Sequence, residues 1–142
     1  MIAYFDTSAF VPLLIDEPGT TDFARVWRSA EKSFATRLLF VEATSALTRA
    51  RHSARISHSQ HSRAVRELNL LWNAFFIVEL DESLMKRAAA IAHKFRLRGY
   101  DSVHCAAAET VAGDDVIAAS ADRALLAVWH DVGVATFNPA VS

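Results

Sequence analysis

The sequence predicts an α/β fold in which a mainly parallel sheet carries helices on both faces. Short apolar runs rich in β-forming residues alternate along the chain with longer segments of helical periodicity, a pattern typical of βαβ units. Only 4 glycines and 3 prolines punctuate 142 residues, so the connections are expected to be short. The length matches that of one domain, and residues 1–142 are therefore interpreted as a single domain.

In the first quarter of the chain we predict one strand near residue 2, another that ends at residue 36, and helices between them. Residues 2–5 form an apolar run that ends at the polar cluster 6–8, which indicates a strand followed by a helix cap. The Pro-Gly pair at 18–19 is a break before a helical segment at 20–29. A short strand is expected at 33–36.

The middle of the chain predicts two long helices and a strand. An apolar stripe at helical spacing lies within 38–55, formed by Leu39, Ala43, Ala46 and Ala50. Ser57 is a typical N-cap for a helix that extends to about residue 74. Residues 75–80 alternate weakly and are rich in β-formers, so they are predicted as a strand.

The remaining elements repeat the same signals, with aspartates before helices and short apolar runs as strands. They are predicted in this order: a helix at 82–95 after Asp81, a helix at 102–111 opened by Asp101, a strand at 116–119 after a turn, a helix from Asp122 to about residue 132, and a strand at 134–137. This alternation completes the parallel α/β pattern.

Composition narrows the classes of function. The 15 Lys and Arg residues nearly balance the 16 Asp and Glu residues, and a net charge of −1 produces no overall attraction to nucleic acid or anionic membrane. The one cysteine, Cys105, allows no disulfide within the chain. The N-terminus lacks a basic signal segment and no apolar run is long enough to cross a bilayer, so we expect a cytoplasmic protein without membrane association.

Two aspartates directly follow predicted strands. Asp6 comes after the first strand and Asp122 after the strand at 116–119, and each precedes a helix. Taken alone, either residue could be a helix N-cap. Because ligand sites in open parallel sheets form beyond the carboxyl ends of the strands, the two side chains are also expected to share one crevice.

Two further acids occupy unusual helical positions. Glu42 shares a helix face with Leu39 and Ala46, so its carboxylate lies on or beside the apolar stripe. An unpaired buried carboxylate is costly, which leaves either a site residue or an edge position that reaches water. Asp101 precedes an Ala-rich helix face, and His104, one turn later, is interpreted as a packing or hydrogen-bonding residue rather than a base.

A parallel sheet can gather these four acids at one edge. Like charges placed so close raise one another's pKa values, and a hard divalent cation removes that conflict. Mg²⁺ and Mn²⁺ prefer oxygen ligands, so the pattern predicts an acidic site for one of these ions.

Four segments in order match a known family pattern: Tyr4-Phe5-Asp6-Thr7-Ser8, Val41-Glu42-Ala43 with Ala46-Leu47-Thr48-Arg49, Tyr100-Asp101-Ser102-Val103-His104-Cys105-Ala106-Ala107-Ala108, and Ser120-Ala121-Asp122-Arg123-Ala124-Leu125. With them the chain resembles PIN-domain proteins, and most of all the VapC-type toxins of bacterial toxin–antitoxin pairs. The resemblance covers nearly the whole chain. It implies a three-layer α/β/α fold and an endoribonuclease that depends on one or two Mg²⁺ or Mn²⁺ ions.

The resemblance also implies roles for individual residues. The acids that hold the metal and act in catalysis correspond to Asp6, Glu42, Asp101 and Asp122. The polar residues around them correspond to Thr7, Ser8 and Ser120. Ser120 is expected to orient Asp122 or a phosphate oxygen. The family likeness further implies an RNA substrate, a cognate antitoxin that inserts a segment near the acidic site, and a homodimer.

An acid-free basic stretch lies between Glu42 and Glu67. Its arginines include three candidate contacts to RNA or to an antitoxin: Arg49, Arg51 and Arg55. Such a stretch can bind a phosphate backbone or an acidic partner segment, and it can equally be the solvated face of a helical hairpin.

Other classes of protein are weighed against this prediction. A dinucleotide-binding domain is disfavoured because no G-x-G-x-x-G follows the first strand, and a haloacid dehalogenase-type phosphatase would need an acid where Ser8 stands. A PIN-fold nuclease that acts on DNA or in RNA processing stays open, as does a catalytically inactive PIN-like interaction module.

Overall fold

The protein is described over residues 1–139 by a computed structural model. In this part of the chain five strands form one sheet: β1 (Ile2–Phe5), β2 (Lys32–Thr36), β3 (Phe76–Val78), β4 (Val116–Ala119) and β5 (Thr136–Phe137). The α-helices are α1 (Thr7–Phe10), α2 (Thr20–Ser29), α3 (Leu38–His52), α4 (His58–Trp72), α5 (Glu82–Phe95), α6 (Gly99–Val111) and α7 (Arg123–Asp131). None of the helices within residues 1–139 is long and apolar enough to cross a membrane.

The sheet is parallel throughout, in the order β3-β2-β1-β4-β5, so β1 is the central strand. Tyr4 of β1 pairs with Phe34 of β2 on one side and with Ala118 of β4 on the other. The chain first builds outward to β3 and then returns to the other side of β1. Strand order therefore reverses between β1 and β4, and ligand sites in such sheets form in the crevice beyond the carboxyl ends of those strands.

The two faces of the sheet carry separate apolar cores. Successive side chains of a strand point to opposite faces, so Phe5 packs with α1–α4 whereas Tyr4 packs with α5–α7. Large buried side chains of the first core include Phe10, Phe23, Leu39, Leu47 and Leu68, and those of the second include Ile91, Leu125 and Trp129. The predicted three-layer α/β/α architecture is confirmed.

The helix that contains Asp101 begins earlier than the sequence predicts. It starts at Gly99 rather than at residue 102, because Arg98 has the extended backbone of an N-cap residue. Asp101 therefore lies in the first turn, where a carboxylate is stabilised by the helix dipole without capping the helix. Smaller shifts affect other boundaries: α3 ends at His52, and β3 and β5 are shorter than predicted.

Cys105 of α6 belongs to the second core. The residue is fully buried, and burial raises the pKa of its thiol to about 12, with the nearby charge of Glu109 adding to the increase. The thiol is therefore protonated and inaccessible at neutral pH, in agreement with a role in packing alone.

Candidate active site

The carboxyl ends of β1 and β4 open into a cavity of about 880 Å³. It is lined by all four acids that the sequence singles out: Asp6, Glu42, Asp101 and Asp122. The structure therefore brings together four carboxylates from four separate segments. The cavity lies at the point where the strand order reverses, as expected for a ligand site in an open parallel sheet.

Asp6 is both a helix cap and a cavity residue. As the N-cap of α1, its Oδ1 accepts the backbone N–H of Ala9 at 3.0 Å. The hydroxyl of Ser8 donates to the same carboxylate at 2.8 Å from Oδ1, and the hydroxyl of Ser120 donates to Oδ2 at 2.6 Å. Burial raises the pKa of Asp6 above its ordinary value, although the charge of His104 and these hydrogen bonds oppose the increase.

Two serine hydroxyls join the end of β1 to the end of β4. The Ser8 hydroxyl accepts the backbone N–H of Ala121 at 2.8 Å, and the Ser120 hydroxyl accepts the backbone N–H of Asp122 at 2.9 Å. Because the Ser120 hydroxyl donates to Asp6, it orients the Asp6 carboxylate. Ser120 also contacts Asp122, through the backbone N–H of that residue, and its predicted role in orienting Asp122 or a phosphate oxygen stays a prediction.

The two carboxylate oxygens of Asp122 also make different contacts. Its Oδ1 caps α7 by accepting the backbone N–H groups of Ala124 at 2.9 Å and Leu125 at 3.1 Å. Its Oδ2 lies 3.4 Å from the Nη2 of Arg98. The helix-cap and site interpretations of Asp6 and Asp122 are thus compatible, because one oxygen of each serves the cap.

Arg98 connects two of the four acids. Its Nε lies 3.0 Å from Oδ2 of Asp101, and its Nη2 reaches Asp122. The Arg98 side chain is 79% exposed, so solvent screens both ion pairs and each adds little to stability. Sequence reasoning missed this residue, and its only local signal is the spacing of three residues before Asp101.

Two hydrogen-bond donors from distant parts of the sequence hold the carboxylate of Glu42, which lies on α3. The hydroxyl of Thr7 donates to its Oε1 at 2.7 Å, and Nε2 of His104 lies 2.8 Å from the same oxygen. Burial alone would raise the pKa of Glu42, but the hydrogen bond and charge of His104, together with the Thr7 hydroxyl, lower it overall. Glu42 is therefore ionised at neutral pH.

Two of the three arginines singled out by sequence reach the cavity. Arg49 and Arg55 line it, whereas Arg51 is exposed on α3 and is not among the lining residues. Arg49 donates to the hydroxyl of Ser45 at 2.6 Å, and Arg55 lies 3.6 Å from the carboxylate of Glu17. The basic stretch therefore contributes cationic groups to one side of the acidic cavity.

The donor set of the cavity fits a hard divalent cation in kind. Its four carboxylates supply the oxygen atoms that Mg²⁺ and Mn²⁺ prefer, and hydroxyl groups hold two of them in place. Within residues 1–139, no three acidic, histidine or cysteine side chains are close enough to hold a metal ion as they stand. Arg98 bridges Oδ2 of Asp101 and Oδ2 of Asp122, so binding an ion to these two oxygens would require this guanidinium to move.

The α/β/α fold and the acidic cavity at the point where the strand order reverses together define a class of protein. Comparison with known proteins identifies that class. The chain belongs to the PIN domain family, whose model matches residues 3–128.

A curated relative is Ribonuclease VapC45 of Mycobacterium tuberculosis, 33% identical over 132 residues that span 93% of this chain and 92% of the relative. Two solved structures share the fold. The first is VapC20 of Mycobacterium tuberculosis, described as a toxin that cleaves the sarcin-ricin loop, with a TM-score of 0.68 and 17% identity over 96% of this chain and 99% of that one. The second is a toxin-antitoxin complex from Klebsiella pneumoniae, with a TM-score of 0.62 and 12% identity over 84% and 86% of the two chains.

Proposed function

We propose that the protein is a Mg²⁺- or Mn²⁺-dependent endoribonuclease and the toxin of a type II toxin–antitoxin pair. The observation that carries the proposal is the convergence of Asp6, Glu42, Asp101 and Asp122 on one cavity with arginines at its side. Ribonuclease relatives of nearly the same length support the class of reaction. The metal, one or two ions, follows from the chemistry of the oxygen donors.

The residues of the cavity have different roles in the proposed hydrolysis of a phosphodiester bond. Asp6 and Asp101 would be the primary ligands for the cation, and Glu42 and Asp122 would bind it directly or through water, or would hold a second ion. When bound, the cation lowers the pKa of water and neutralises charge on the phosphoryl group. Ser8 and Ser120 keep the Asp6 carboxylate oriented by donating to it.

The rim of the cavity suits a polyanionic, single-stranded substrate. Arg49 and Arg55 place positive charge beside the acids, where it can bind phosphates that flank the scissile bond. Tyr100, 64% exposed at the same cavity, offers a ring on which a base can stack. Loops of RNA present phosphates and unstacked bases together, so they can make both kinds of contact.

The acidic cavity also suits a cationic segment of an antitoxin. Arg98 already demonstrates that a guanidinium fits between Asp101 and Asp122. Exposed apolar groups at the cavity, Val41 and Tyr100, provide contact area for such a segment. We propose a homodimer in the cytoplasm, inhibited by an antitoxin, as the functional setting; a solved toxin-antitoxin complex of the same fold supports the partner.

Cleavage assays test the proposed function directly. The purified chain is incubated with a structured RNA, single-stranded DNA and flap DNA, each with Mg²⁺, with Mn²⁺ and with EDTA. We expect cleavage of RNA alone, loss of cleavage in EDTA, and loss in the variant Asp101→Asn. Cleavage that persists in EDTA or in Asp101→Asn would contradict the metal site. Preferred cleavage of DNA would indicate a DNA nuclease, and no cleavage together with no binding of Mn²⁺ in calorimetry would indicate an interaction module.

The variant Arg98→Ala is expected to bind Mn²⁺ more tightly than the wild type. The Arg98 guanidinium competes with the cation for the oxygens of Asp101 and Asp122. Because the variant lacks both of these exposed ion pairs, its affinity for Mn²⁺ should be roughly two- to tenfold higher. Isothermal titration with Mn²⁺ measures the change. Arg28→Ala removes the same charge from an exposed position of α2 and serves as the control. An unchanged or weaker affinity in Arg98→Ala would show that Arg98 does not compete with the cation.

A further inference from the structure

A buried chain of polar groups runs from the second core to the acidic cavity. The phenol oxygen of Tyr4 lies 2.8 Å from Nδ1 of His104, and Nε2 of His104 lies 2.8 Å from Oε1 of Glu42. Tyr4 is completely buried and His104 is 2% exposed. The three residues come from β1, α6 and α3, so the contact joins the central strand to helices on both faces of the sheet.

The carboxylate of Glu42 fixes the direction of its hydrogen bond with His104. A carboxylate can only accept, so Nε2 of His104 must carry a hydrogen and donate it to Glu42. A neutral ring accepts the phenol hydrogen of Tyr4 at Nδ1, and a protonated ring donates from Nδ1 to the phenol oxygen, so in either state the contact holds the ring in the same orientation. Burial, with the charges of Asp6 and Glu42, raises the pKa of the Tyr4 phenol well above the ordinary value, so the hydroxyl keeps its hydrogen in this contact.

We propose that His104, held in one orientation by Tyr4, is a positioning residue that fixes the carboxylate of Glu42 toward the cation. Thr7 and His104 both donate to Oε1, so the carboxylate is held from two sides and its other oxygen is available to a ligand. This inference rests on the proposed function, because it assigns His104 a task in the same cavity. It adds a residue that acts through Glu42 and touches neither substrate nor metal.

His104 adjoins an apolar stretch of α6. The neighbours of His104 on α6 are Cys105, Ala106, Ala107 and Ala108, which are fully buried and apolar. A histidine among them loses its hydration and is tolerated only because both ring nitrogens are hydrogen-bonded. An apolar residue would fill the same space, but it would take away the His104 partner of the buried Tyr4 hydroxyl and could not donate to Glu42. The same logic applies to second-layer partners of metal ligands, whose loss costs about 10–100-fold in affinity or activity.

Two isosteric variants separate the two hydrogen bonds of His104. The amide nitrogen of glutamine can take the place of Nε2, so His104→Gln keeps the donor to Glu42. The amide of asparagine can take the place of Nδ1, so His104→Asn keeps only the contact with Tyr4. We expect His104→Asn to weaken Mn²⁺ binding and to lower kcat for RNA cleavage by roughly tenfold or more, with KM nearly unchanged, whereas His104→Gln stays within about threefold of the wild type. Tyr4→Phe, which removes only the phenol hydroxyl, is expected to weaken Mn²⁺ binding by a smaller factor.

Calorimetry with Mn²⁺, steady-state kinetics and circular dichroism of each variant complete the experiment. Wild-type affinity in His104→Asn, or equal losses in His104→Gln and His104→Asn at equal thermal stability, would overturn the positioning role. If His104→Asn does not fold, Tyr4→Phe decides, and wild-type Mn²⁺ affinity in that variant overturns it. A wild-type chain that neither binds Mn²⁺ nor cleaves RNA refutes the proposed function and this inference together, whereas an active wild type with an unaffected His104→Asn refutes the inference alone.

Discussion

Replacing Asp6 with asparagine is expected to abolish RNA cleavage while making the folded chain more stable at neutral pH in the presence of EDTA. Asparagine retains the oxygen that caps α1 through Ala9, but it lacks the negative charge that the proposed cation requires. Loss of a primary ligand should reduce cleavage by at least about 100-fold. Stability should rise because the buried charge is a cost to the native state, as the raised pKa of Asp6 shows.

The pH dependence of this stabilisation has a defined sign. The native pKa of Asp6 is raised above the ordinary value of 3.8, so the native state binds more protons than the unfolded state between these two values. The contribution of Asp6 to stability therefore falls as the pH rises through that interval. The stability advantage of Asp6→Asn should be present at pH 7 and should shrink as the pH is lowered toward 3.8. Each kcal/mol of relief raises the melting temperature by about 2–4 °C.

Thermal unfolding followed by circular dichroism in EDTA, together with the RNA cleavage assay, measures both effects. Asp114→Asn removes an equal charge from an exposed turn and is the matched control. A melting temperature of Asp6→Asn below that of the wild type at pH 7 would show that the cap and serine contacts outweigh the charge penalty. RNA cleavage by Asp6→Asn at the wild-type rate would show that Asp6 is not a ligand of the proposed cation.

The second large effect is expected from Trp129→Ala in the core beneath α7. Trp129 is fully buried, its ring packs edge-on against Tyr4 at 5.9 Å between centroids, and its indole N–H donates to the backbone oxygen of Cys105 at 3.3 Å. Removing a buried tryptophan side chain typically costs about 3–5 kcal/mol. That is a large part of the roughly 5–15 kcal/mol by which a domain is stable, so the variant should be only marginally folded.

Urea unfolding at equilibrium measures this loss as a free energy. Trp129→Phe retains an aromatic ring but loses the indole hydrogen bond, and a smaller loss of about 1–2 kcal/mol is expected. Because Trp129 does not line the cavity and Trp129→Phe keeps a ring beside Tyr4, the folded fraction of Trp129→Phe should keep its affinity for Mn²⁺. A loss below about 1 kcal/mol in Trp129→Ala would mean that the core around α7 tolerates a large cavity, contrary to close packing between α6 and α7.

Local signals were sufficient to predict the framework of the site. Asp6 and Asp122 follow apolar strands and precede helices, and in a parallel sheet this position alone leads the side chains to one edge. Glu42 was found because a carboxylate at the spacing of Leu39 and Ala46 has to lie beside the apolar face of its helix. Such inferences need only a few neighbouring residues and the period of one element.

The contacts that hold these acids were beyond reach of the sequence. Tyr4 and His104 are 100 residues apart, and Arg98 reaches Asp122 across 24 residues through a long, exposed side chain. No periodicity links such pairs, because they meet only through the packing of separate elements. The start of α6 was misplaced for a related reason: an aspartate is favourable both as an N-cap and in the first turn, so the residue type of Asp101 could not distinguish the two positions.

The pairing of β4 beside β1 has a consequence for the order of events at the ribosome. The hydroxyl of Ser120 reaches Asp6 across 114 residues, so the first acid gains this partner only after residue 120 has been made. Until β4 is inserted, Asp6 and Asp122 have no common surface on which to meet. A nascent chain therefore cannot bring the four acids together before β4 and Asp122 have been made.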